Sequence, residues 1–441
     1  MRLVSWGRTL RAPHLAFAPA WRDELPATLA VAGAARPGCG VLPVGLGRSY
    51  GDSGLNAGGA AVLTVGLDRV IAFDPVARRL RAEAGASIAA LLELLVPRGF
   101  FLPVTPGTRH VTLGGAVAND VHGKNHHGAG TFGRWVRALG LLRSDGRERV
   151  LTPEEDAEGL FAATIGGLGL TGLITWVEIE LIPITGALIE AEQEAFENLD
   201  GFFALADRAE AEGWDYTVAW VDCMAGGPRL GRGLFSRGRH AAAGELRVAQ
   251  PSQLMRMPLD APRWALNRWS IGAFNAAYYA KGKRSAGRRQ AVSYLPFFYP
   301  LDGIGDWNRL YGPRGMYQYQ CVVPPEASGA VRDMLEMIRR SGEGSFLITL
   351  KTFGGLASPG LVSFPMEGTT LALDFPNRGE ATLKLLARLD DIVRAAHGRL
   401  YPAKDGRMPA AMFRAGYPAW ERLAAMVDPA FSSSFWRRVA A

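Results

Sequence analysis

The stretch VGLGRSYGDSGLNAGG, residues 44–59, follows a short apolar run and is dominated by glycine and other small residues. A Rossmann dinucleotide fingerprint, G-x-G-x-x-G, would require glycine at position 50, where Tyr50 stands. Residues 53–59 are poor helix formers, so no helix N-terminus is expected there to bind a diphosphate. Two interpretations remain open: a turn whose successive amides bind an anion, or an ordinary glycine-rich turn.

A second glycine-rich stretch, PGTRHVTLGGAVANDVHGKNHH, spans residues 106–127. Small residues dominate 114–118, which suits a backbone packed against a flat ligand. Four of the seven histidines lie here (His110, His122, His126 and His127). A metal site is an alternative, but only Asp120 has the spacing of a further ligand, so no metal is predicted.

A third glycine segment, GGLGLTG at residues 166–172, leads into a predicted strand at Ile174. Three such segments in one region indicate a large, extended cofactor rather than a small ligand.

Composition places the chain among ordinary globular proteins. Its 441 residues are enough for about two or three domains. Hydrophobic residues at 48% and charged residues at 21% exclude a disordered chain. Three scattered cysteines predict neither a disulfide framework nor a CxxC metal site, and favour a reducing compartment.

Neither a signal peptide nor a transmembrane helix is predicted. Arg2, Arg8 and Arg11 interrupt the first residues. The longest uncharged stretch, 159–177, is rich in glycine and is interpreted as a loop leading into a strand. The expected location is cytoplasmic, with a peripheral membrane contact as an additional possibility.

Periodicity predicts an α+β architecture with two domains. The first 180 residues are predicted to contain short strands and a helix at 88–95. The alternating run 173–182 predicts a half-buried strand, which Pro183 is expected to end. Beyond a boundary near 185, helices are expected at 196–212 and 329–341. Strands are expected at 317–323, 345–352 and 369–375, forming an antiparallel sheet. The domains are predicted as 1–185 and 186–395.

Residues 228–295 form a basic loop region in this prediction. Only Glu245 and Asp260 oppose its thirteen cations: Arg229, Arg232, Arg237, Arg239, Arg247, Arg256, Arg263, Arg268, Lys281, Lys283, Arg284, Arg288 and Arg289. The interspersed aromatic residues are Trp264, Trp269, Phe274, Tyr278 and Tyr279. Single-stranded nucleic-acid binding, a peripheral membrane contact and a solvated loop all remain open. Since no nucleic-acid motif is present, no nucleic-acid partner is predicted.

The three glycine segments resemble the flavin domain of the vanillyl-alcohol-oxidase/p-cresol-methylhydroxylase superfamily, on the motifs GLGRSYGD, PGTRHVTLGGAVANDVHGKNHH and GGLGLTGLI. The later segments YPLDGIGDWNRLYGPRGMYQYQCVVP, SFLITLKTFG, LDFP and GRLYPAKDGR resemble oxidases of lipid-phosphate-linked pentoses within it. The resemblance implies an FAD-binding domain, an antiparallel-sheet substrate domain, and a C-terminal segment, 396–441, that returns to the first domain.

The resemblance also implies which residues bind FAD. They are Val44, Gly45, Leu46, Gly47, Arg48, Ser49, Tyr50, Gly51, Asp52, Ser53, Gly107, Thr112, Leu113, Gly114, Gly115, Asn119, Asp120, Val121, His122, Ile174 and Tyr401. Many superfamily members attach FAD through a histidine in the first glycine loop. Residues 44–53 contain none, so non-covalent FAD is predicted.

For catalysis the resemblance implies Lys404, His122 and Lys124. A lysine near the flavin stabilises negative charge, and a histidine can position a hydroxyl or accept its proton. From the residues alone, the favoured interpretation of Lys404 is a surface lysine paired with Asp405, and only the resemblance favours a functional role. The implied substrate residues are Tyr319, Gln320, Lys351, Thr370 and Ala372.

The implied reaction is oxidation of the 2′-hydroxyl of a polyprenyl-phosphate-linked ribose to the 2′-keto sugar. A separate short-chain dehydrogenase/reductase would complete a 2′-epimerisation and give the arabinose donor for cell-wall polymers. Close relatives often have asparagine and cysteine where this chain has Thr370 and Ala372, so the exact substrate stays open. The alternatives are a soluble sugar alcohol, aldonolactone or glycoside as substrate, a non-catalytic binding protein, and a nucleic-acid-binding module.

Overall fold

The computed structural model of the protein describes residues 1–249, 255–262 and 264–440. The strands of the first part are β1 (Arg2–Val4), β2 (Arg11–Pro13), β3 (Leu15–Phe17), β4 (Val41–Val44), β5 (Ala60–Leu63), β6 (Val70–Asp74), β7 (Arg79–Glu83), β8 (Phe100–Phe101), β9 (Val136–Leu142), β10 (Glu148–Leu151), β11 (Leu173–Glu180) and β12 (Ile182–Pro183). Its helices are α1 (Leu25–Ala35), α2 (Ile88–Leu95), α3 (Leu113–Ala118), α4 (His126–Ala129) and α5 (Leu160–Thr164).

Two larger sheets build most of this first part, beside the two-stranded pairs β1-β2 and β12-β8. One is antiparallel with the order β10-β9-β11-β7-β6, and the other is a parallel sheet with the order β3-β5-β4. The predicted helix α2 has the expected bounds, because Ser87 caps its first turn by accepting a hydrogen bond from the Ala90 amide. Its buried residues, Ile88, Leu91, Leu92 and Leu95, join the core that also contains β11.

The second part contains the remaining elements. Its strands are β13 (Leu188–Phe196), β14 (Tyr216–Val221), β15 (Gly233–His240), β16 (Met255–Arg256), β17 (Gln290–Ser293), β18 (Ile304–Gly305), β19 (Met316–Val323), β20 (Ile348–Phe353), β21 (Gly368–Pro376) and β22 (Arg399–Leu400). Its helices are α6 (Leu199–Ala211), α7 (Arg268–Ser285), α8 (Tyr294–Phe298), α9 (Gly329–Ser341), α10 (Glu380–Ala395), α11 (Ala410–Gly416), α12 (Trp420–Met426) and α13 (Ser434–Ala440).

An eight-stranded sheet with the order β17-β13-β15-β14-β20-β21-β19-β22 dominates this part, and every neighbouring pair in it is antiparallel. Helices α6, α9 and α10 cover one face with buried apolar residues. The predicted α+β class with an antiparallel sheet is therefore confirmed.

Some predicted boundaries were wrong. The helix expected from residue 196 begins at Leu199, because Phe196 ends β13 and Asn198 caps α6 by accepting from the Gly201 amide. Pro183 does not end the strand of residue 173, since β11 stops at Glu180 and Pro183 pairs with Phe100 in β12. The stretch expected as a loop contains the short helix α5.

The basic region of residues 228–295 is not a loop, since β15, α7 and β17 lie within it and Asn267 caps α7. Its excess charge is partly balanced by distant acids on β13. Arg237 pairs with Glu192 at 3.1 Å, and Arg239 pairs with Glu190 at 3.2 Å. Arg263 and residues 250–254 lie outside the described residues.

The C-terminal segment contacts both parts of the molecule. Strand β22 pairs with β19 of the large sheet. Further on, Phe431 forms a bridge with Val41, and Arg438 pairs with Asp52 at 2.6 Å. The segment thereby fixes the position of the first glycine stretch relative to the second part.

Among the described residues, no helix combines the length and the apolar character needed to cross a bilayer. All three cysteines are described and free, with Cys223 and Cys321 buried.

Candidate active site

A cavity of 1210 Å³ lies between the glycine stretches of the first part and the large sheet of the second. The first two glycine stretches form part of the cavity wall, and the segment around Lys404 forms the adjoining part. The Tyr50 amide donates to Ala403 O at 2.9 Å, and the Tyr401 hydroxyl donates to Asn119 O at 3.2 Å. The cavity is thus bounded by segments distant in sequence.

The first glycine stretch presents free amides to this cavity. Within the described residues, the amides of Leu46–Ser49 donate no hydrogen bond, although all four residues line the cavity. Gly47 has a φ of 63° and no atom within 4 Å of where a Cβ would stand, so its backbone faces open space. Successive free amides in a turn form an anion-binding concavity. The buried Ser53 hydroxyl beside them also lacks a partner within the described residues.

The first and second glycine stretches pack tightly together. A Cβ at Gly45 would collide with the Thr112 side chain, which caps α3 by accepting a hydrogen bond from the Gly115 amide at 3.2 Å. The third stretch adds to this wall, because the Leu168 amide donates to Ala118 O. Glycine is therefore needed where these backbones approach each other.

Most predicted cofactor residues line the cavity. They are Val44, Gly45, Leu46, Gly47, Arg48, Ser49, Tyr50, Ser53, Gly107, Thr112, Gly114, Gly115, Asn119, Val121, His122, Ile174 and Tyr401.

Four predicted cofactor residues do not line the cavity. Gly51 packs against the Asp405 backbone, and Asp52 pairs with Arg438. Leu113 is fully buried in the apolar core. Asp120 is fully buried and accepts hydrogen bonds from the Gly133 amide and from Ser358 and Ser363. These four residues stabilise the fold around the cavity.

His122 lies in the cavity wall with both ring nitrogens engaged. Its Nε2 is 3.1 Å from Gln320 Nε2, and its Nδ1 is 3.2 Å from Lys351 Nζ. Burial, and next the Lys351 ammonium, lower the pKa of His122 well below its usual value. The imidazole is therefore neutral at physiological pH.

Three lysines share the cavity wall. Burial lowers the pKa of Lys124 and of Lys404 to about 8. Burial and the other two ammonium groups lower the pKa of Lys351 to about 7. Lys124 donates to Phe297 O, Lys351 donates to Gly123 O, and Lys404 lies 4.0 Å from the Tyr50 ring centroid. Lys404 is thus a buried cavity residue and not a surface lysine.

The strand register divides the predicted substrate residues between two faces. Gln320, Lys351, Thr370 and Ala372 line the cavity. Tyr319 does not, because side chains alternate along β19 and it points into the core under α10, near Arg407. Its predicted place in the pocket was wrong.

Sequence reasoning missed Asp374 and Gln318, which face each other across β21 and β19. Both line the cavity, and Gln318 Nε2 donates to Asp374 Oδ1 at 2.7 Å. Burial raises the pKa of Asp374 to about 7. The alternation of β19 around Gln320 was the signal that could have identified Gln318.

No group of three or more His, Cys, Asp or Glu side chains is placed to hold a metal within residues 1–249, 255–262 and 264–440. His126 packs its ring against Phe353, with centroids 4.4 Å apart, and His127 contacts Trp214 O at 2.9 Å.

Comparison with known proteins places the first two glycine stretches in a recognised family. Residues 13–152 match the FAD binding domain family. The chain is 38% identical to the decaprenylphosphoryl-β-D-ribose oxidase of Mycolicibacterium smegmatis, over 99% of this chain and 97% of that protein. It is 33% identical to an uncharacterised protein in the mprA 5′ region of Streptomyces coelicolor, over 79% of this chain and 98% of that protein. It is also 31% identical to a probable L-gulonolactone oxidase of Arabidopsis thaliana, over 29% of this chain and 23% of that protein.

The cavity fits FAD. Four consecutive free amides suit the diphosphate, and the unpartnered Ser53 hydroxyl supplies a further polar group beside them. The volume suits an extended ligand together with a substrate.

Proposed function

The chain belongs to the decaprenylphosphoryl-β-D-ribose oxidase family of FAD-dependent oxidoreductases, and from this we propose that it oxidises the 2′-hydroxyl of a polyprenyl-phosphate-linked ribose to the 2′-keto sugar. When bound, FAD supplies the hydride acceptor for this oxidation. The chain must bind the dinucleotide, hold the sugar beside it and take up the hydroxyl proton.

The first glycine stretch would hold the FAD diphosphate through the amides of Leu46–Ser49. Lys404 would stabilise negative charge on the flavin, because it is buried beside Tyr50 and the low-polarity surroundings strengthen its field. Residues 44–53 contain no histidine that could form a covalent bond to the flavin, so we propose that FAD is bound non-covalently.

The positive charge of the cavity is the observation that supports this substrate class best. Lys124, Lys351 and Lys404 are half-buried in its wall, and no carboxylate influences the pKa of Lys124 or Lys351. Buried cations without acidic partners are stabilised by an anionic ligand. A sugar carrying a phosphodiester meets this requirement, and a neutral sugar alcohol does not.

Helix α7 supports a peripheral membrane contact. Trp264 and Trp269 are each 76% exposed at its start, and the cations Arg268, Lys281 and Arg284 follow along it. Aromatic side chains suit the bilayer interface, and cations suit anionic headgroups. Phe274 and Tyr278 of the same helix line the cavity, so a prenyl chain could pass from a bilayer along α7 to the site.

Epimerisation at C2′ requires that the ketone be reduced again from the opposite face. We propose that a separate short-chain dehydrogenase/reductase performs this step. The test is whether the 2′-keto product, mixed with such a reductase and a nicotinamide cofactor, is converted to the arabinose epimer.

Anaerobic flavin bleaching tests the substrate directly. Purified holoenzyme is mixed with a polyprenylphosphoryl-β-D-ribose, and separately with soluble alditols, aldonolactones and methyl ribofuranoside. We expect bleaching by the phosphoribose at concentrations at which the neutral compounds are inert. Bleaching by the soluble compounds alone would refute the lipid-linked substrate and favour a soluble sugar. Thr370 and Ala372, which stand where close relatives often have asparagine and cysteine, are compatible with such a change of substrate.

A further inference from the structure

Asp374 is a buried carboxylate of the cavity wall to which the sequence motifs assign no role. It lies on β21, is 1% exposed and lines the cavity. Its Oδ1 accepts a hydrogen bond from Gln318 Nε2. No hydrogen bond of normal distance and angle reaches its Oδ2 from a described residue, although the Tyr311 hydroxyl is close enough to the carboxylate to lower its pKa. One oxygen of this carboxylate is therefore available to a ligand.

The groups around Asp374 are polar and incompletely hydrogen-bonded. Gln318 Oε1 is buried without a partner among the described residues. The Tyr311 hydroxyl is close enough to Asp374 to lower its pKa, but makes no hydrogen bond of normal geometry within those residues. The Lys404 ammonium is close enough to lower the pKa of Asp374. Buried polar groups in this state are normally satisfied by a ligand or ordered water. A sugar hydroxyl offers both a donor and an acceptor.

The other candidate proton acceptors of the cavity are already engaged. His122 uses one ring nitrogen with Gln320 and the other with Lys351. Of the other cavity-lining carboxylates, Asp302 accepts from the Arg109 amide at 2.9 Å and Asp306 pairs with Arg256 at 2.8 Å. Each keeps a second oxygen, but their side chains are 11% and 35% exposed, so both are more open to solvent than Asp374.

From this arrangement we propose that Asp374 accepts the proton of the hydroxyl group that is oxidised. The proposal rests on the proposed function, and it identifies the base that the reaction needs. The C–H bond at the carbinol carbon breaks with its electron pair, and the hydride passes to the flavin. The O–H bond breaks, its proton passes to Asp374 Oδ2, and the carbonyl double bond forms.

The electrostatics of the position suit this role. Burial raises the pKa of Asp374 to about 7, while Gln318, Lys404 and Tyr311 oppose that rise. Tyr50 also faces the group, and burial raises the pKa of its phenol well above 10. A base whose pKa lies near the working pH is partly ionised and still binds the proton that it receives.

Substitution with a pH profile provides the first test. In Asp374→Asn holoenzyme we expect kcat/KM to fall by about 10²–10⁴-fold. The ratio of wild-type kcat/KM to that of Asp374→Asn should rise with pH through about 7, because the carboxylate form is the base and the loss of charge on Lys351 over this range affects both proteins. Asp374→Ala should be partly rescued by added formate. Asp391→Asn, an exposed carboxylate on α10, is the control and should behave as the wild type.

A second test needs no turnover. The affinity of reduced holoenzyme for the sugar is measured by calorimetry between pH 6 and 8. Lys351 loses its charge over the same range and weakens binding of the anionic sugar in both proteins. We therefore expect the ratio of wild-type affinity to Asp374→Asn affinity to increase from pH 6 to 8, as Asp374 ionises and accepts the hydroxyl. An unchanged pH dependence in Asp374→Asn, with an intact flavin spectrum and melting temperature, would overturn the proposal.

These tests separate the two claims. If soluble alcohols reduce the flavin of the wild type and the lipid-linked ribose does not, the proposed substrate is wrong. Both tests of Asp374 are then run with the alcohol that reacts. If the lipid-linked ribose reacts but Asp374→Asn retains the wild-type rate and pH profile, only the assignment of the base fails.

Discussion

Lys351 Nζ lies 3.2 Å from His122 Nδ1, and Gln320 contacts the opposite nitrogen of the same ring. The ring is also enclosed by Phe353, at 4.8 Å between centroids, and by Tyr401, at 5.7 Å. The neutral imidazole therefore holds the Lys351 side chain in the cavity wall, and the ammonium of that lysine is suited to bind negative charge.

Replacing Lys351 by methionine should raise the pKa of His122. The Lys351 ammonium is the second largest cause of the lowered pKa after burial. Removing it should therefore shift the pKa upward, while burial keeps it below 6.5. NMR titration of the His122 ring measures the shift. A His122 pKa unchanged in Lys351→Met would contradict the electrostatic coupling.

The same variant should bind an anionic substrate less well. We expect kcat/KM for the phosphoribose to fall about 10–100-fold, the range of a lost charge-assisted hydrogen bond. Oxidation of a neutral glycoside should change less. Lys384→Met is the control, because Lys384 is an exposed lysine that pairs with Glu380 on α10.

Gly47 provides a test of the first glycine stretch. Gly47→Val places a β-branched residue at a φ of 63°, which costs roughly 1–2 kcal/mol of stability or more, and adds a side chain to a residue that lines the cavity. We expect FAD affinity to fall at least tenfold. Equilibrium dialysis measures the affinity for FAD, and thermal melting measures the loss of stability.

Gly38→Val is the matched control for this substitution. Gly38 has a φ of 77° and, like Gly47, no neighbour within 4 Å of a Cβ, but it does not line the cavity. It should lose similar stability and keep its FAD affinity. Equal FAD affinity in both variants would show that the diphosphate does not lie on this turn.

Lys404→Met should lower the reduction potential of bound FAD. Loss of a buried ammonium removes stabilisation of negative charge, and about 1.4 kcal/mol corresponds to about 30 mV for a two-electron couple. In the wild type this contribution should fade as pH rises through about 8, the pKa of Lys404. Spectroelectrochemistry from pH 6 to 10 measures the reduction potential of the variant and the pH dependence of the wild-type potential. A potential identical to the wild type at every pH would place Lys404 away from the flavin.

Local motifs made the glycine-lined half of the cavity predictable. Residues 44–50 and most of 112–115 are short segments rich in glycine and small residues, so their resemblance to a flavin domain was visible in the sequence, and the structure places them in the cavity wall. Gly51, Asp52 and Asp120 were misassigned because their partners, Asp405, Arg438 and Ser358, are distant in sequence.

The sheet half was harder to predict because a strand alternates between two faces. Adjacent residues of β19 face opposite sides of the sheet, so an error of one position moves a side chain from the cavity to the core. For this reason Tyr319 was predicted in the pocket and Gln318 was missed. Asp374 became visible only through its pairing with Gln318 across β19 and β21. The basic region was interpreted as a loop because the acids that balance it lie on β13.

Helix α7 gives a prediction about membranes. The double variant Trp264→Ser/Trp269→Ser removes two exposed indoles, and we expect binding to vesicles containing anionic phospholipid to fall at least tenfold. Raising the ionic strength should weaken wild-type binding further, because Arg268, Lys281 and Arg284 contribute by charge. Cosedimentation with phosphatidylglycerol-containing vesicles is the measurement.

The control for this surface is Trp21→Ser, since Trp21 is 55% exposed in the first part of the chain and does not line the cavity. It should bind vesicles as the wild type does. Turnover of a water-soluble phosphoribose should be equal in all three proteins, whereas turnover of the vesicle-embedded substrate should fall only in the double variant. If the double variant and the wild type sediment equally with vesicles, α7 is not the membrane-facing surface, and the prenyl chain must reach the cavity by another route.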